Sequence, residues 1–451
     1  MICRQLARVA RSSCDTGFVF CYNFAVLGNN HQKTKIFPKN FYWGSATASY
    51  QVEGGIENND WAKAARESRV PECGIACDHY QRYEEDFALA KSLGHNAHRL
   101  SVEWSRIEPE EGKFDRQAIL HYRQVLESLH KQGLKPFVTI WHFTLPLWFS
   151  DRGGFERSDA PETFARYSAY VVKELGDLCD HFSTMNEPNV FGSNGWLRGT
   201  WPPFKRFTLT DMVSITNSGR QYEAKASKGL APVFTYFKVM KNLALAHNAA
   251  YIAIKKISPQ TEVSLVKHVI VFASTNNPFY IIKAWLANYF WTHKFMKRVH
   301  EYCDSIGLNY YFYTQFGDKR VWRKTDMDWN FAPEYIYDAL VILARYKKPL
   351  FVSEGGLADA YDTGRAEYIT RQVEGVWRAI HSGIDVRGHL YWSLLDNYEW
   401  ALGFAKRFGL LAVNYETQER TIRNYLIATN TDVPARLYQS VWPATPLLLD
   451  G

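Results

Sequence analysis

Short apolar runs and helical stripes alternate along most of this chain. A run at residues 41–47, opening on Phe41-Tyr42-Trp43, reads as a first buried strand, and a long loop rich in Gly, Asn and Pro follows it to Cys77. After His79 the apolar or aromatic residues Tyr80, Tyr83, Phe87, Leu89, Ala90 and Leu93 recur at helical spacing, and Gly94 closes the stretch as a C-terminal cap. A strand is predicted over 97–104, a helix over 116–132 stopped by Gly133, and a strand over 136–141. The order continues with helix 160–175, strand 181–185, a loop over 192–203, helix 232–257 and strand 262–266. Strands at 305–311, 350–353 and 388–393 complete the pattern, with helices at 333–346 and 368–382 before the last two. Eight short buried strands separated by helices imply a parallel sheet covered by helices. Eight repeats favour closure, so the expected fold is α/β, a single (β/α)8 TIM barrel.

Two acidic residues stand where such a barrel places chemistry. Glu187, in Thr184-Met185-Asn186-Glu187-Pro188-Asn189, and Glu354, in Phe351-Val352-Ser353-Glu354-Gly355-Gly356, each end a predicted strand. The strands of a parallel barrel converge at their C-terminal ends, so carboxylates far apart in sequence can face one pocket. Pro188 is expected to delay the following helix and keep the strand end extended. Paired carboxylates are what glycosidic cleavage needs: one attacks the anomeric carbon, and the other, protonated, gives its proton to the leaving oxygen.

The length of 451 residues allows one large barrel domain. Residues 1–35 differ from the rest, with Arg4, Arg8 and Arg11 ahead of a short apolar stretch, and are read as an extension of uncertain role before a hydrolase domain at 36–451. That stretch is too short to span a bilayer, and no other run is long enough. The net charge of +7 is spread without a basic block, so no nucleic-acid partner is expected; with no run long enough to span, no membrane partner is expected either. Seven cysteines at irregular spacing argue against a secreted disulfide framework, and a cytoplasmic location is expected. Cys73 and Cys77 have no second pair or His cluster nearby, which favours free thiols in a loop over a zinc site. Aromatic residues make up 16%, which permits a sugar-binding cleft without requiring one.

Further motifs narrow the reading. They are Phe37-Pro38-Lys39-Asn40-Phe41-Tyr42-Trp43-Gly44-Ser45-Ala46-Thr47-Ala48-Ser49-Tyr50-Gln51-Val52-Glu53-Gly54, Arg99-Leu100-Ser101-Val102-Glu103-Trp104-Ser105-Arg106-Ile107, Trp141-His142-Phe143-Thr144-Leu145-Pro146, Asn309-Tyr310-Tyr311 and Trp392-Ser393-Leu394-Leu395-Asp396-Asn397-Tyr398-Glu399-Trp400. With the two glutamate motifs, and in this order, they resemble family 1 glycoside hydrolases, the β-glucosidase/β-galactosidase family, over roughly residues 36–425. The resemblance implies Glu187 as acid/base and Glu354 as nucleophile. It implies Asn186 at the sugar 2-hydroxyl, with Arg99 and Tyr311 holding the nucleophile. An adjacent cation favours the ionised carboxylate that a nucleophile must be, whereas the acid/base needs a raised pKa. Gln51, His142, Asn309, Trp392, Glu399 and Trp400 are the implied substrate-binding residues, Trp392 beneath the ring and Glu399 at O4 and O6, where it would repel a 6-phosphate.

The implied activity is that of a retaining exo-β-glycosidase acting on a small-molecule glycoside or oligosaccharide, most simply an unphosphorylated β-glucoside. The mechanism requires neither cofactor nor metal. A non-catalytic glycan-binding barrel and a transglycosylase using the same glutamates are the alternatives. One departure matters: the family usually has Asn after the nucleophile, and here Gly355 is expected to loosen its orientation. The tail after Thr421 also departs from the usual ending. The loops around 194–206 and 312–328, expected to surround the leaving group, identify no particular aglycone.

Overall fold

The strands are β1 (Tyr42–Ala46), β2 (Ala97–Ser101), β3 (Lys135–Trp141), β4 (His181–Asn186), β5 (Glu262–His268), β6 (Ser305–Asn309), β7 (Leu350–Glu354) and β8 (Val386–Trp392). Each pairs in parallel with its neighbours, and β1 pairs with β8 to close an eight-stranded barrel. The computed structural model describes residues 37–206 and 231–423. The expected extension over 1–35 lies outside the described residues, as does all of the divergent tail beyond residue 423.

The helices on the outside are α1 (His79–Ser92), α2 (Arg116–Lys131), α3 (Ala160–Leu175), α4 (Pro188–Trp196), α5 (Ala231–Ile257), α6 (Pro278–Asn288), α7 (Lys294–Val299), α8 (Ile336–Ala344) and α9 (Arg365–His381). Helix α2 illustrates why they form. The Asp115 side chain accepts from the amides of Gln117 and Ala118, a cap worth about 1 kcal/mol. Ala118, Ile119, Tyr122, Val125, Leu126 and Leu129 fall on one buried stripe, each large side chain contributing roughly 1.5–3 kcal/mol. Gly133, at φ 66°, then turns the chain into β3.

Alternation along the strands builds the barrel floor and the layer above it. Ala97, Phe137, Phe351 and Leu390 form an apolar plug at the bottom, with Tyr42 packed against it. Two residues further along three of these strands come Arg99, Thr139 and Ser353, pointing to the same side because strand side chains repeat every second residue. Arg99 Nε donates to Thr139 Oγ1 at 2.9 Å, so the polar layer rests directly on the plug. The fully buried Glu103 carboxylate ties down the loops at the top, accepting from Ser49 Oγ (3.0 Å), Ser105 Oγ (2.6 Å) and Thr144 Oγ1 (2.9 Å).

Three expectations need correction. Strand β2 ends at Ser101 rather than 104, because Glu103 caps a short helix, Trp104–Ile107. Pro188 does not delay the helix: it occupies the first turn of α4, where its missing N–H costs nothing. Glu187 is consequently not extended but left-handed, at φ 42° and ψ 56°. The expected loop over 192–203 is helical as far as Trp196. The structure also contains α6 and α7 and two small sheets, Val271–Ser274 with Tyr313–Phe316 and Leu411–Val413 with Arg420–Ile422.

Candidate active site

A cavity of about 430 Å³ opens at the C-terminal ends of the barrel strands, within the range of roughly 300–1,000 Å³ usual for small-molecule sites. Gln51, His142, Asn186, Glu187, Tyr311, Glu354, Trp392, Glu399 and Trp400 all line it. Arg99 and Asn309 do not line it. They lie beneath, so Asn309, expected among the substrate-binding residues, touches the wall of the cavity rather than its contents.

Glu354 ends β7 and is held from two sides. The Arg99 guanidinium pairs with Oε1 while Tyr311 donates its hydroxyl to Oε2 at 2.7 Å. The same guanidinium donates through Nη2 to Asn186 Oδ1 at 2.8 Å. The backbone around Glu354 is pinned as well, by Tyr310 N to Glu354 O at 3.0 Å and Trp392 N to Gly355 O at 3.2 Å. The surroundings of Gly355 leave no open space where the family's asparagine side chain would stand. A Cβ there would lie 2.5 Å from Gln372 Nε2, and one on Gly356 would lie 1.7 Å from the Trp392 carbonyl oxygen. The Gln372 amide fills the space next to Gly355.

Glu187 occupies a different environment. Its left-handed backbone is fixed by Glu187 N to Val266 O at 3.0 Å, and Val190 N donates back to Glu187 O at 2.9 Å. Asn309 Nδ2 donates to Oε1 at 2.7 Å. Burial, and then the charge of Glu354, push the Glu187 pKa well above the ordinary carboxyl range. A carboxyl in that state keeps its proton near neutrality, as a general acid must. Lys267, at the end of β5, is fully buried nearby and donates to His268 O at 2.7 Å. Burial pushes its pKa well below the usual lysine value, against the pull of Glu187.

The end of the cavity around Glu399 carries unused polar atoms. Gln51 Oε1, His142 Nδ1 and Glu399 Oε2 are buried and have no hydrogen-bond partner among the described residues. Since buried polar atoms are normally paired, three such atoms at this end mark places kept for a ligand; His268 Nδ1 and Trp291 Nε1, on other lining residues, are also without a partner among the described residues. Gln51 is held by Nε2 to Tyr398 O at 2.7 Å and to Asn397 Oδ1 at 3.2 Å. Asn186 Oδ1 accepts from Arg99 and from Asn309 Nδ2 (3.2 Å), which turns its Nδ2 towards His142 Nε2 at 3.2 Å. His142, whose pKa is driven well down by burial and by Arg99, is therefore neutral with its proton on Nδ1. Its ring lies nearly parallel to those of Trp392 (5.8 Å, 16°) and Trp400 (6.1 Å, 11°). Burial and Glu354 raise the Glu399 pKa to about 8.

The opposite end is apolar and aromatic, with Ile270, Trp291, Phe312, Met327, Trp329 and Phe408 around it. The two expected loops reach it through Asn194, Arg198, Thr200 and Trp201 on one side and Asp326 and Asp328 on the other. Cys73 and Cys77 are buried thiols that donate to Tyr50 O and Asp396 O, each at 3.0 Å, anchoring their loop to the barrel top. Sequence reasoning missed Lys267 and Gln372. Strand β5 was expected to end one residue before Lys267, and a lysine directly after a strictly apolar strand end was the available signal. Gln372 lies within a helical stripe and gave no signal.

The chain is similar to known proteins over most of its length. The profile of Glycosyl hydrolase family 1 matches residues 33–300 and 281–427. A 1,4-beta-D-glucan glucohydrolase of Thermotoga neapolitana is 30% identical over 435 residues, covering 86% of this chain and 96% of that protein. Among solved structures, a family 1 b-glucosidase from Thermotoga maritima superposes with a TM-score of 0.79 at 27% identity, covering 91% of this chain and 99% of that one. A beta-glycosidase from Pyrococcus horikoshii gives 0.77 at 33% identity, covering 90% and 95%.

Proposed function

The chain belongs to glycosyl hydrolase family 1, and on that footing we propose that it is a retaining exo-β-glycosidase of unphosphorylated β-D-glucosides. The observation that carries the reading is the unequal treatment of two carboxyls in one cavity. Glu354 is held by a guanidinium and a phenol, while Glu187 is buried against a neutral amide. Unequal environments of this kind assign one carboxyl to attack and the other to proton transfer.

In the first step a Glu354 oxygen attacks the anomeric carbon as the glycosidic C–O bond breaks, and Glu187 passes its proton to the departing oxygen. The product is a covalent glycosyl-enzyme and a free aglycone alcohol. Glu187, now ionised, takes a proton from an incoming water. The resulting oxygen nucleophile displaces Glu354 and releases the sugar with its original anomeric configuration. Arg99 and the Tyr311 hydroxyl stabilise the carboxylate before attack and again as it leaves. The unpaired atoms of Gln51, His142 and Glu399 receive ring hydroxyls, and Trp392 lies against the apolar face. Glu399 Oε2 is free to bond a ring hydroxyl, and a buried carboxyl gives a 6-phosphate no positive partner, which supports an unphosphorylated sugar. The names of the Thermotoga relatives support glucose.

The test is hydrolysis of aryl β-glucoside, galactoside, fucoside and mannoside by wild type, Glu187→Ala and Glu354→Ala. Wild type is expected to cleave the glucoside fastest with retention. Each variant should lose most of the rate and regain part of it with azide, giving opposite anomers of the glycosyl azide. Inverted product from wild type, or a Glu354→Ala variant of undiminished rate, refutes the assignment.

A further inference from the structure

Among the described residues, exposed large hydrophobic side chains concentrate on two consecutive outer helices. Of fifteen large hydrophobic residues exposed among the described residues, ten lie on α5 or on the segment from α6 to Phe290. On the second segment, Phe279 (69% exposed), Ile282 (60%), Trp285 (50%), Leu286 and Phe290 (51%) repeat at helical spacing and form one continuous face. Isolated exposed apolar residues are ordinary, but a contiguous aromatic face marks a contact surface.

The charge around this face has one sign. Residues 231–261 contain four lysines and no acidic residue; residues 276–300 contain three lysines, Arg298 and no acidic residue. Of these eight cations only Lys255 has an acidic partner among the described residues, Asp304 at 2.6 Å. Several lysines lie over ring faces, with their stems on apolar surface. Lys294 Nζ is 3.9 Å from the Phe237 ring of α5 and 5.1 Å from Phe290, joining the two helices, and Lys297 Nζ is 5.4 Å from Tyr289. Lys283 Nζ is 4.5 Å from Phe316.

We propose that the outer face of α6, continued through Lys294 onto α5, docks on an anionic lipid bilayer. Tryptophan, tyrosine and phenylalanine beside lysines whose stems cover apolar surface are the side chains that hold a helix in the plane of a headgroup layer. Anionic headgroups supply the partner charge that the described residues lack. The expectation of no membrane partner rested on the lack of a spanning segment. None of the described helices is long and apolar enough to cross a membrane, and a helix lying flat on the surface does not need to be. The π-helical segment Tyr289–His293 links the face to the site. It presents Phe290 outwards while Trp291, the next residue, lines the cavity. A bilayer held on this face therefore lies against one wall of the active site.

The experiment is flotation of the full chain with vesicles of phosphatidylcholine alone or mixed with phosphatidylglycerol, beside Phe279→Ser/Ile282→Ser/Trp285→Ser and Lys283→Ala/Lys297→Ala. None of these residues lines the cavity, so hydrolysis of a soluble aryl glycoside checks folding separately, and a fold control independent of catalysis is the circular dichroism melt. Wild type is expected to float with the mixed vesicles and to lose binding as salt is raised. The two-lysine variant should bind about 25-fold more weakly, roughly fivefold for each lysine removed. The triple serine variant should stop floating while it melts like wild type. Failure of wild type to float with mixed vesicles overturns the proposal, as does flotation that neither variant weakens. A wild-type dimer that the serine variant converts to monomer assigns the face to a second copy of the chain and also overturns it.

Discussion

Replacing Asn309 by Ala should move the alkaline limb of the pH–rate profile upwards while lowering the rate. Asn309 is fully buried, and its Nδ2 donates to Glu187 Oε1 at 2.7 Å, a bond that favours the ionised carboxylate and opposes the upward push of burial and Glu354. A hydrogen bond to a neutral carboxyl contributes about 1 kcal/mol and one to a carboxylate about twice that. Losing it therefore disfavours ionisation by roughly 1 kcal/mol, or about 0.7 pH unit. The sign follows directly: with the ionised form less stable, Glu187 keeps its proton to higher pH, and the limb reporting its loss moves up. The assay is kcat/KM against pH on a glucoside with a poor leaving group, where proton donation is required and the profile reports the free enzyme. Ser353→Ala is the companion variant, since Ser353 Oγ donates to Asn309 Oδ1 at 2.8 Å and holds the amide in place; a smaller shift of the same sign is expected. A limb that moves down in Asn309→Ala, or stays fixed while the rate falls, refutes the reasoning.

Gly355→Ala should cost about 1–3 kcal/mol of stability by overpacking against Gln372, and adding Gln372→Ala should restore much of the loss; additive losses in Tm would sink the idea. Glu399→Gln should lower kcat/KM on the unphosphorylated glucoside and narrow its preference over the 6-phosphoglucoside, and an unchanged ratio between the two substrates would count against Glu399 facing O6. Burial alone would raise the Asp86 pKa, but His79 at 2.7 Å and Arg420 at 2.8 Å outweigh it and hold the carboxyl below its ordinary value. Its stabilisation is therefore present above an unfolded pKa of about 3.9 and lost as pH falls through the lower folded value. Asp86→Asn should be less stable at neutral pH by about 3–5 kcal/mol and should lack part of the acid-side slope seen in wild type, as read by urea unfolding across that range.

The barrel was legible because its strands are buried on both faces and its helices on one, which gives short solid runs between striped ones. The same logic failed where backbone geometry overrides pattern. Pro188 reads as a helix delay, yet it begins α4 at once because Glu187 accepts a left-handed turn that no apolar period encodes. Helix α6 was passed over because it is apolar on its exposed side too, so it has no polar stripe to mark it. Within the site, resemblance placed residues around one cavity that local pattern could not have joined. It could not separate those lining the cavity from those beneath it, Arg99 and Asn309, since that depends on how far each side chain reaches from its strand. The packing of Gln372 beside Gly355 was invisible for a similar reason: the two meet only once α9 packs against β8, where His389 Nε2 donates to Gln372 Oε1 at 2.9 Å.

Arg99 has a consequence for how this protein can change. From its place on β2 this one side chain contacts Thr139 on β3, Asn186 on β4 and Glu354 on β7. A replacement at any of the four alters the surroundings of the other three, so no single step between one working arrangement and another leaves the rest undisturbed. The floor of the site is therefore locked as a unit, and drift in sequence is confined to changes that leave all four in register. The aromatic wall opposite is joined by ring packing instead, Trp329 meeting Phe312 and Phe408, and such packing tolerates replacement one residue at a time better than a shared ion pair does. New specificities should arise there first, while the chemistry beneath is inherited intact.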